Sequence, residues 1–371
     1  MYTGRSARRL DGEHRLGQPR LVPDPEPSPP QATPVGDAEG AAQLPPRAPW
    51  PDGPPSGGGS SDTPPSVDPE PARGTLAALL ALLDLHEAPE IGPDTFVGQS
   101  ERQAWSRVYG GQVLAQALVA AQRTVDPAGR DRPVHSLHGY FLRAGDDTEP
   151  ITFEVQRLRD GRSFTVRRVN AMQFGKVILT MSASFQLPSP GIRHALTMPP
   201  APDPDSLPSL HERYQDVASA GEIRSLRRRP VHLRHVTAPP YLTASPERQA
   251  AAQLWMRTVG DIPGAWDTPA IHAAVLTYAS DYAMFEPILR RHGLHYGQPG
   301  VNLASLDHVI WFHRPVRIDD WVLVDLNSPS ASGARGLGLA EMYSQDGTLV
   351  ATVGQEGMVR TSDEVTRSTQ P

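Results

Sequence analysis

The chain has no cysteine among its 371 residues. That excludes disulfides, thiolate metal centres and a cysteine nucleophile. No apolar run reaches the roughly 20 residues that a membrane-spanning helix needs, so no span is expected. The net charge is −6 and the isoelectric point about 6.1. A chain without an overall basic field is not expected to bind nucleic acid. Histidine and carboxylate clusters with metal-ligand spacing are missing too. His135 and His138 lie three apart, and His308 and His313 five apart. In strands, those spacings send the members of each pair to opposite faces. Neither a metal nor a redox cofactor is expected. There is also no G-x-S-x-G elbow, no Walker A loop and no G-x-G-x-x-G after a strand. The N-terminal MYTGRSARRLDGEHRLG is charged but has no apolar segment behind it, so no secretory signal is read there. The C-terminal RSTQP is not a peroxisomal address. The cytoplasm is the expected location.

What is present divides unevenly along the chain. Residues 1–73 hold 17 of the 40 prolines and a GGGS tract, with sparse apolar residues that follow no period. Such a segment cannot bury enough surface to offset chain entropy, so a disordered Pro-rich tail is expected. Order begins at GTLAALLALLDL, where Leu76, Leu79, Leu80 and Leu83 recur at helical spacing behind Thr75 as N-cap. TFVGQS is a short strand candidate. YGGQVLAQALVAAQRTV reads as a helix small and apolar on most faces, hence buried on more than one side. ITFEVQRLR, SFTVRRVNAMQ and VILTMSASFQ then alternate in period two, with turn signals at Asp160-Gly161 and at FGK.

The same order of elements then comes a second time. Residues 248–261 read either as a helix or as a strand from Gln253, and AIHAAVLTYASDYAMFEPILRRHG reads as one helix over 270–293. ASLDHVIWFHRPV, DWVLVDLNSPSA and GARGLGLAEMYSQDGTLVATVGQEGMVR form a second meander, with QDG as its turn. The glycine-rich GLGLAE lies within that meander and is not expected to cradle phosphate. Aligning the helices sets Gln112 opposite Asp281. Aligning the turn glycines, Gly175 and Gly347, sets Ala183 opposite Gln355. The polar groups of the two copies differ, so one working site per chain, or one per interface between copies, is expected.

The segments GGQVLAQAL, HSLHGYFLRAGD, DGRSFTVRRVNAMQFGK, YASD, LDHVIWFHRP, SASGARG and QDGTLVATVGQEGMVR closely resemble acyl-CoA thioesterase II, the TesB type, over roughly residues 75–361. The resemblance implies an α+β fold, a double hotdog of two antiparallel sheets each wrapped around a long helix. The expected organisation is a tail at 1–73, an N-terminal hotdog at 74–190, a linker at 191–228, a C-terminal hotdog at 229–361 and a polar tail at 362–371. The two sheets are expected to join, because an open edge would invite pairing. Hydrolysis of acyl-CoA to a free fatty acid and CoA is the implied activity, and dimers or tetramers are implied as well.

The resemblance also implies a trio of Asp, hydroxyl and Gln that positions a water. These fall on Asp281 of YASD, Ser305 before LDH and Gln355 of the VxQEG strand. The family more often has Thr at the Ser305 position, and Ser loses the methyl that stiffens the rotamer. The residue types suit the chemistry. A carboxylate can take a proton from water, while Ser and Gln donate and accept without charge. Other readings stand beside this one. Asp281 could cap its helix or pair with Arg290 or Arg291. His135 or His308 could serve as base. The Asp307-His308 pair would suit a hotdog hydratase, although strand neighbours point to opposite faces. A non-catalytic acyl-CoA-binding hotdog would keep the fold without the chemistry. Arg143, Arg162, Arg167, Arg168, Arg314 and Arg335 are of a type that favours the phosphates of CoA, and none is assigned.

Deleting residues 1–73 is expected to leave the melting temperature nearly unchanged. A large drop would contradict the disordered-tail reading.

Overall fold

The computed structural model describes residues 75–103, 106–219, 222–223, 227 and 229–369. The tail expected at 1–73 lies outside them. The first half opens with α1 (Leu76–Leu83), capped by the Thr75 hydroxyl, which accepts from Ala78 N. Leu76, Leu79, Leu80 and Leu83 are all buried, as their spacing predicts. Then come β1 (His86–Glu87), β2 (Thr95–Gly98), α2 (Gly110–Arg123), β3 (Val134–Phe141), β4 (Ile151–Asp160), β5 (Phe164–Gln173) and β6 (Lys176–Gln186). α2 is buried on every face from Gly111 to Gln122. The β5–β6 turn puts Phe174 and Gly175 at φ of 50° and 69°, the left-handed pair of a two-residue hairpin.

In the second half, β7 (Val231–His235) and β8 (Ala251–Thr258) precede α4 (Pro269–Ser280) and α5 (Glu286–His292), with α3 (Leu210–Tyr214) lying earlier, within the expected linker. β9 (Val301–Ser305), β10 (Asp307–Phe312), β11 (Val322–Ser332), β12 (Arg335–Ser344) and β13 (Leu349–Thr361) follow. The residues expected as a polar tail carry a last short helix, α6 (Asp363–Thr369). No helix among the described residues is long and apolar enough to cross a membrane.

The strands form one antiparallel sheet in the order β1-β2-β4-β5-β6-β3-β10-β13-β12-β11-β8-β7, with β9 added on β13. Outward from the β3–β10 seam both halves run alike: β3-β6-β5-β4-β2 on one side, β10-β13-β12-β11-β8 on the other. The seam pairs Asp307 with Tyr140 and Trp311 with Ser136, so the two hotdog sheets join into one. Backbone contacts fix the equivalence. Arg143 N donates to Ile178 O as Arg314 N donates to Val350 O. Counted from these, Leu137 matches His308 and Ala183 matches Gln355, in agreement with the turn glycines.

One sequence expectation is corrected and one alternative is resolved. The span 270–293 is not one helix. The chain turns through residues 281–285 between α4 and α5, and Pro287 sits in the first turn of α5. A proline there lacks an N–H, and its ring would collide with the carbonyl four residues back, so the helix cannot run through. Of the two readings of residues 248–261, the strand is the one found, beginning at Ala251 rather than Gln253, and β8 is covered on both faces. Trp255 is buried against Met198, Ala201 and Leu207 and donates to Pro202 O at 3.0 Å. The linker therefore packs on the outer face of the second half.

The α4–α5 turn sits hard against the sheet. A Cβ on Gly338 would lie 2.3 Å from the Met284 carbonyl oxygen, and one on Gly357 2.2 Å from the Phe285 ring. The glycines of β12 and β13 therefore set how closely the turn approaches. Gly338→Ala is expected to cost about 1–3 kcal/mol in chemical denaturation, because the obstructing atom is backbone. Gly336→Ala should cost less, since its neighbour is the flexible Ile288 side chain. Equal stability of the Gly338→Ala and wild-type proteins would contradict this packing.

Candidate active site

α4 is apolar almost throughout and buried from His272 to Ser280. Thr268 caps its start and Pro269 opens it, so the helix begins sharply and ends at a fixed place, with Asp281 as C-cap. Asp281 meets the beginning of α2. Its Oδ2 accepts from Gly111 N at 2.8 Å. The approach requires both glycines. A Cβ on Gly110 would lie 2.9 Å from Asp281 Oδ2, and one on Gly111 2.4 Å from Tyr278 O. Tyr109, just before α2, donates its hydroxyl to Tyr278 O at 3.0 Å and stacks on Tyr282. The N-terminus of α2, where Gly111 N–H already meets Asp281, is a favourable place for an anion.

The other two predicted residues converge on the same carboxylate. Ser305 ends β9, paired with Gly357 of β13, and its Oγ donates to Asp281 Oδ1 at 3.5 Å, a long contact. Gln355, on β13 and only 2% exposed, donates from Nε2 to Ser305 Oγ at 3.0 Å. Burial pushes Asp281 from 3.8 up to about 6, and the Gln355 amide, Gly111 N–H and Ser305 hydroxyl only partly offset that rise. Arg290 is engaged by Glu247, Ser245 and Ala251 O, and Arg291 by Arg248 O, so neither neutralises Asp281.

Sequence reasoning missed what lies behind Gln355. Its Oε1 accepts from His308 Nδ1, and His308 Nε2 contacts Ser280 Oγ at 2.9 Å. Burial holds His308 down to about 4, so the ring is neutral. The signal was at hand, because His308 follows the LDH aspartate. That aspartate drew attention to the wrong neighbour: Asp307 accepts from Glu356 N at 2.7 Å and forms no dyad with His308. The other histidines lie elsewhere. His135 contacts Ser184 Oγ, His138 packs edge-on against Trp311, and His313 contacts Thr352 Oγ1.

Among the described residues no group of three or more His, Asp or Glu could hold a metal. Of the arginines considered for CoA phosphates, Arg167 is buried and spans Thr124 and Asp160. Arg143 and Arg314 hold the equivalent carbonyls of Val177 and Leu349 in the two halves, and Arg335 pairs with Glu356. Arg162 and Arg168 are exposed. The arrangement amounts to a carboxylate whose affinity for a proton is raised by burial, with hydroxyl and amide groups in series beside it. Such a group can take a proton from a bound water.

Residues 233–358 match a family model described as acyl-CoA thioesterase, and residues 100–186 one described as acyl-CoA thioesterase N-terminal domain. Acyl-coenzyme A thioesterase 8 of Mus musculus is 40% identical over 281 residues, covering 71% of this chain and 83% of that protein. Acyl-CoA thioesterase 2 of Haemophilus influenzae is 36% identical over 294 residues, covering 78% of this chain and 99% of that protein. The crystal structure of acyl-CoA thioesterase II TesB2 from Mycobacterium marinum superposes with a TM-score of 0.62 at 39% identity, covering 77% of this chain and all of that one.

The raised Asp281 affinity has a stability consequence. Below pH 3.8 the carboxyl is protonated in both folded and unfolded chains and costs nothing. Between 3.8 and about 6 the unfolded chain ionises first, so stability falls as pH rises. Above that window the penalty is full, at most about 3 kcal/mol. Asp281→Asn is therefore expected to be more stable than wild type in urea at pH 8, with the difference shrinking toward pH 4. No gain at pH 8 would contradict the raised value.

Proposed function

This chain belongs to the acyl-CoA thioesterase family, and on that premise we propose that it hydrolyses acyl-CoA to a free fatty acid and CoA with a water that Asp281 activates and Ser305 and Gln355 orient. The observation that carries the reading is Asp281 itself. It is a carboxylate set deep in the protein, pushed up to about 6, with donors from Gly111, Ser305 and Gln355 and no cation from Arg290 or Arg291. Such a group lowers stability, and a module that only binds acyl-CoA has no use for it.

In the reaction, the water bonds to Asp281 and is held by the Ser305–Gln355 pair. As its oxygen forms a bond to the thioester carbonyl carbon, its proton passes to Asp281. The carbonyl oxygen becomes an oxyanion, for which the N-terminal turn of α2 supplies a positive field. The intermediate then collapses. The carbon–sulfur bond breaks, CoA leaves as the thiol after receiving the proton, and the acid is released. An affinity near 6 suits a general base, which must be ionised at neutral pH and yet bind the proton strongly enough to remove it from water. Ser305 in place of the more usual Thr keeps the hydroxyl and so keeps the orienting bond.

The test is thiol release from a panel of acyl-CoAs with wild type and Asp281→Asn side by side. Turnover by Asp281→Asn is expected to fall about 100-fold or more, with the fold and acyl-CoA binding retained. For wild type, kcat should rise with pH up to about 6 and level off above it, because only the ionised carboxylate accepts the proton. A folded Asp281→Asn protein with near-normal rate would remove Asp281 as base. Binding of acyl-CoA by wild type without any release would instead favour a non-catalytic binding module. Ser305→Ala is expected to lower kcat about 10-fold with little change in KM, by loosening the water.

A further inference from the structure

With Asp281 ionised, the hydrogens in the chain of bonds behind it run in one direction. An ionised carboxylate can only accept, so Ser305 must donate to Asp281 Oδ1. Ser305 Oγ then receives its own hydrogen bond from Gln355 Nε2, which leaves Gln355 Oε1 toward His308. An amide oxygen also only accepts, so the proton of the His308 ring must sit on Nδ1. The lone pair on Nε2 then takes the hydrogen of Ser280 Oγ, which lies 2.9 Å from it and also 2.9 Å from Thr277 O, and Ser280 is itself fixed on α4 one residue before Asp281. The run from Ser280 through His308, Gln355 and Ser305 thus begins and ends on adjacent residues. Reversing the Gln355 amide would turn its oxygen to Ser305. The Ser305 hydrogen would then point at Gln355 and leave Asp281.

The first half of the chain shows that the fold does not need this arrangement. The residues equivalent to His308 and Gln355 are Leu137 and Ala183, paired in register and buried in the same kind of sheet. Strand pairing at that place is satisfied by two apolar side chains. The buried imidazole and amide of the second half therefore answer to something other than packing: the imidazole meets Ser280 and the amide, and the amide meets Ser305 and Asp281.

We infer that His308, held by Ser280, is a positioning residue: its Nδ1–H fixes the direction of the Gln355 amide and thereby aims the Ser305 hydroxyl at Asp281. The inference rests on the proposed hydrolytic reading and extends it to two residues that do not touch the water.

The test compares three substitutions at one position. Asn carries its amide nitrogen where the histidine carries Nδ1, Gln carries its own further out, near Nε2, and Leu carries none. His308→Asn is expected to keep kcat within about fivefold of wild type. His308→Gln and His308→Leu should lose about 30-fold or more in kcat while KM stays within about twofold. The pH dependence of kcat separates positioning from a loss of packing. With the Ser305 hydrogen no longer aimed at it, Asp281 loses a bond that favours its ionised form, so the rising limb should move to higher pH in the Gln and Leu variants and stay in place in the Asn variant. Four groups packed around Asp281 titrate outside that range. Burial lifts Tyr109, Tyr282 and Tyr296 above the ordinary phenol value and holds His308 down to about 4. Equal losses in all three folded variants with an unmoved limb would make His308 merely structural. A His308→Leu protein with wild-type kcat and limb would also overturn the inference. Asp281→Asn is measured alongside. If it is inactive while His308→Leu is normal, only the positioning role fails. If it is active, the hydrolytic reading fails as well.

Discussion

A carboxylate taken out of water with three hydrogen-bond donors and no cation among them is the constraint on which this site and much of the second half depend. Asp281 is held where the end of α4 meets the start of α2, and that meeting requires Gly110 and Gly111 to lack side chains. The Tyr109 hydroxyl ties the same junction from the other side. A counter-charge would make the carboxylate cheaper to bury and weaker as a base. Neutral donors do something different: they orient the group while leaving its affinity for a proton raised. The packing of the two halves and the chemistry of the site are thus set by one contact.

The duplication explains how such a site can be accommodated. Both halves use the same strand order about the β3–β10 seam, and the same backbone contact recurs at Arg143 and Arg314. Leu137 and Ala183 make the first half an apolar copy at the positions where the second half carries His308 and Gln355. One half contributes buried surface and the N-terminus of α2. The other contributes the polar chain. Neither half alone would place a carboxylate against that helix end.

Much of this was legible in the sequence because it is local or repeated. The leucine period of α1, the turn glycines at Gly175 and Gly347 and the small-residue run of α2 each carry their own physical signal, and their repetition gave the architecture. Asp281, Ser305 and Gln355 were found through motif resemblance, and the structure brings them together. Other features were hidden for identifiable reasons. The break after Ser280 was masked because apolar residues continue on both sides of it, and only Pro287 marks where a helix cannot continue. The burial of Trp255 depends on the linker at Met198 to Leu207, which has no period of its own. The LDH motif marked His308 but not its role, because its partners are Gln355, 47 residues away, and Ser280, 28 residues away. Reading it beside Asp307 pointed to the opposite face of the strand.

In the proposed hydrolysis Asp281 removes a proton from water and never bonds to the acyl group. A single turnover in water enriched in oxygen-18, with enzyme in excess over acyl-CoA, tests this directly. The released acid and the peptide containing Asp281 are both weighed by mass spectrometry. Direct attack by water predicts one heavy oxygen in the acid from the first turnover and no mass gain in the peptide. Heavy oxygen in Asp281, with an unlabelled acid from that first turnover, would mean that the carboxylate itself attacks the thioester and would contradict the account.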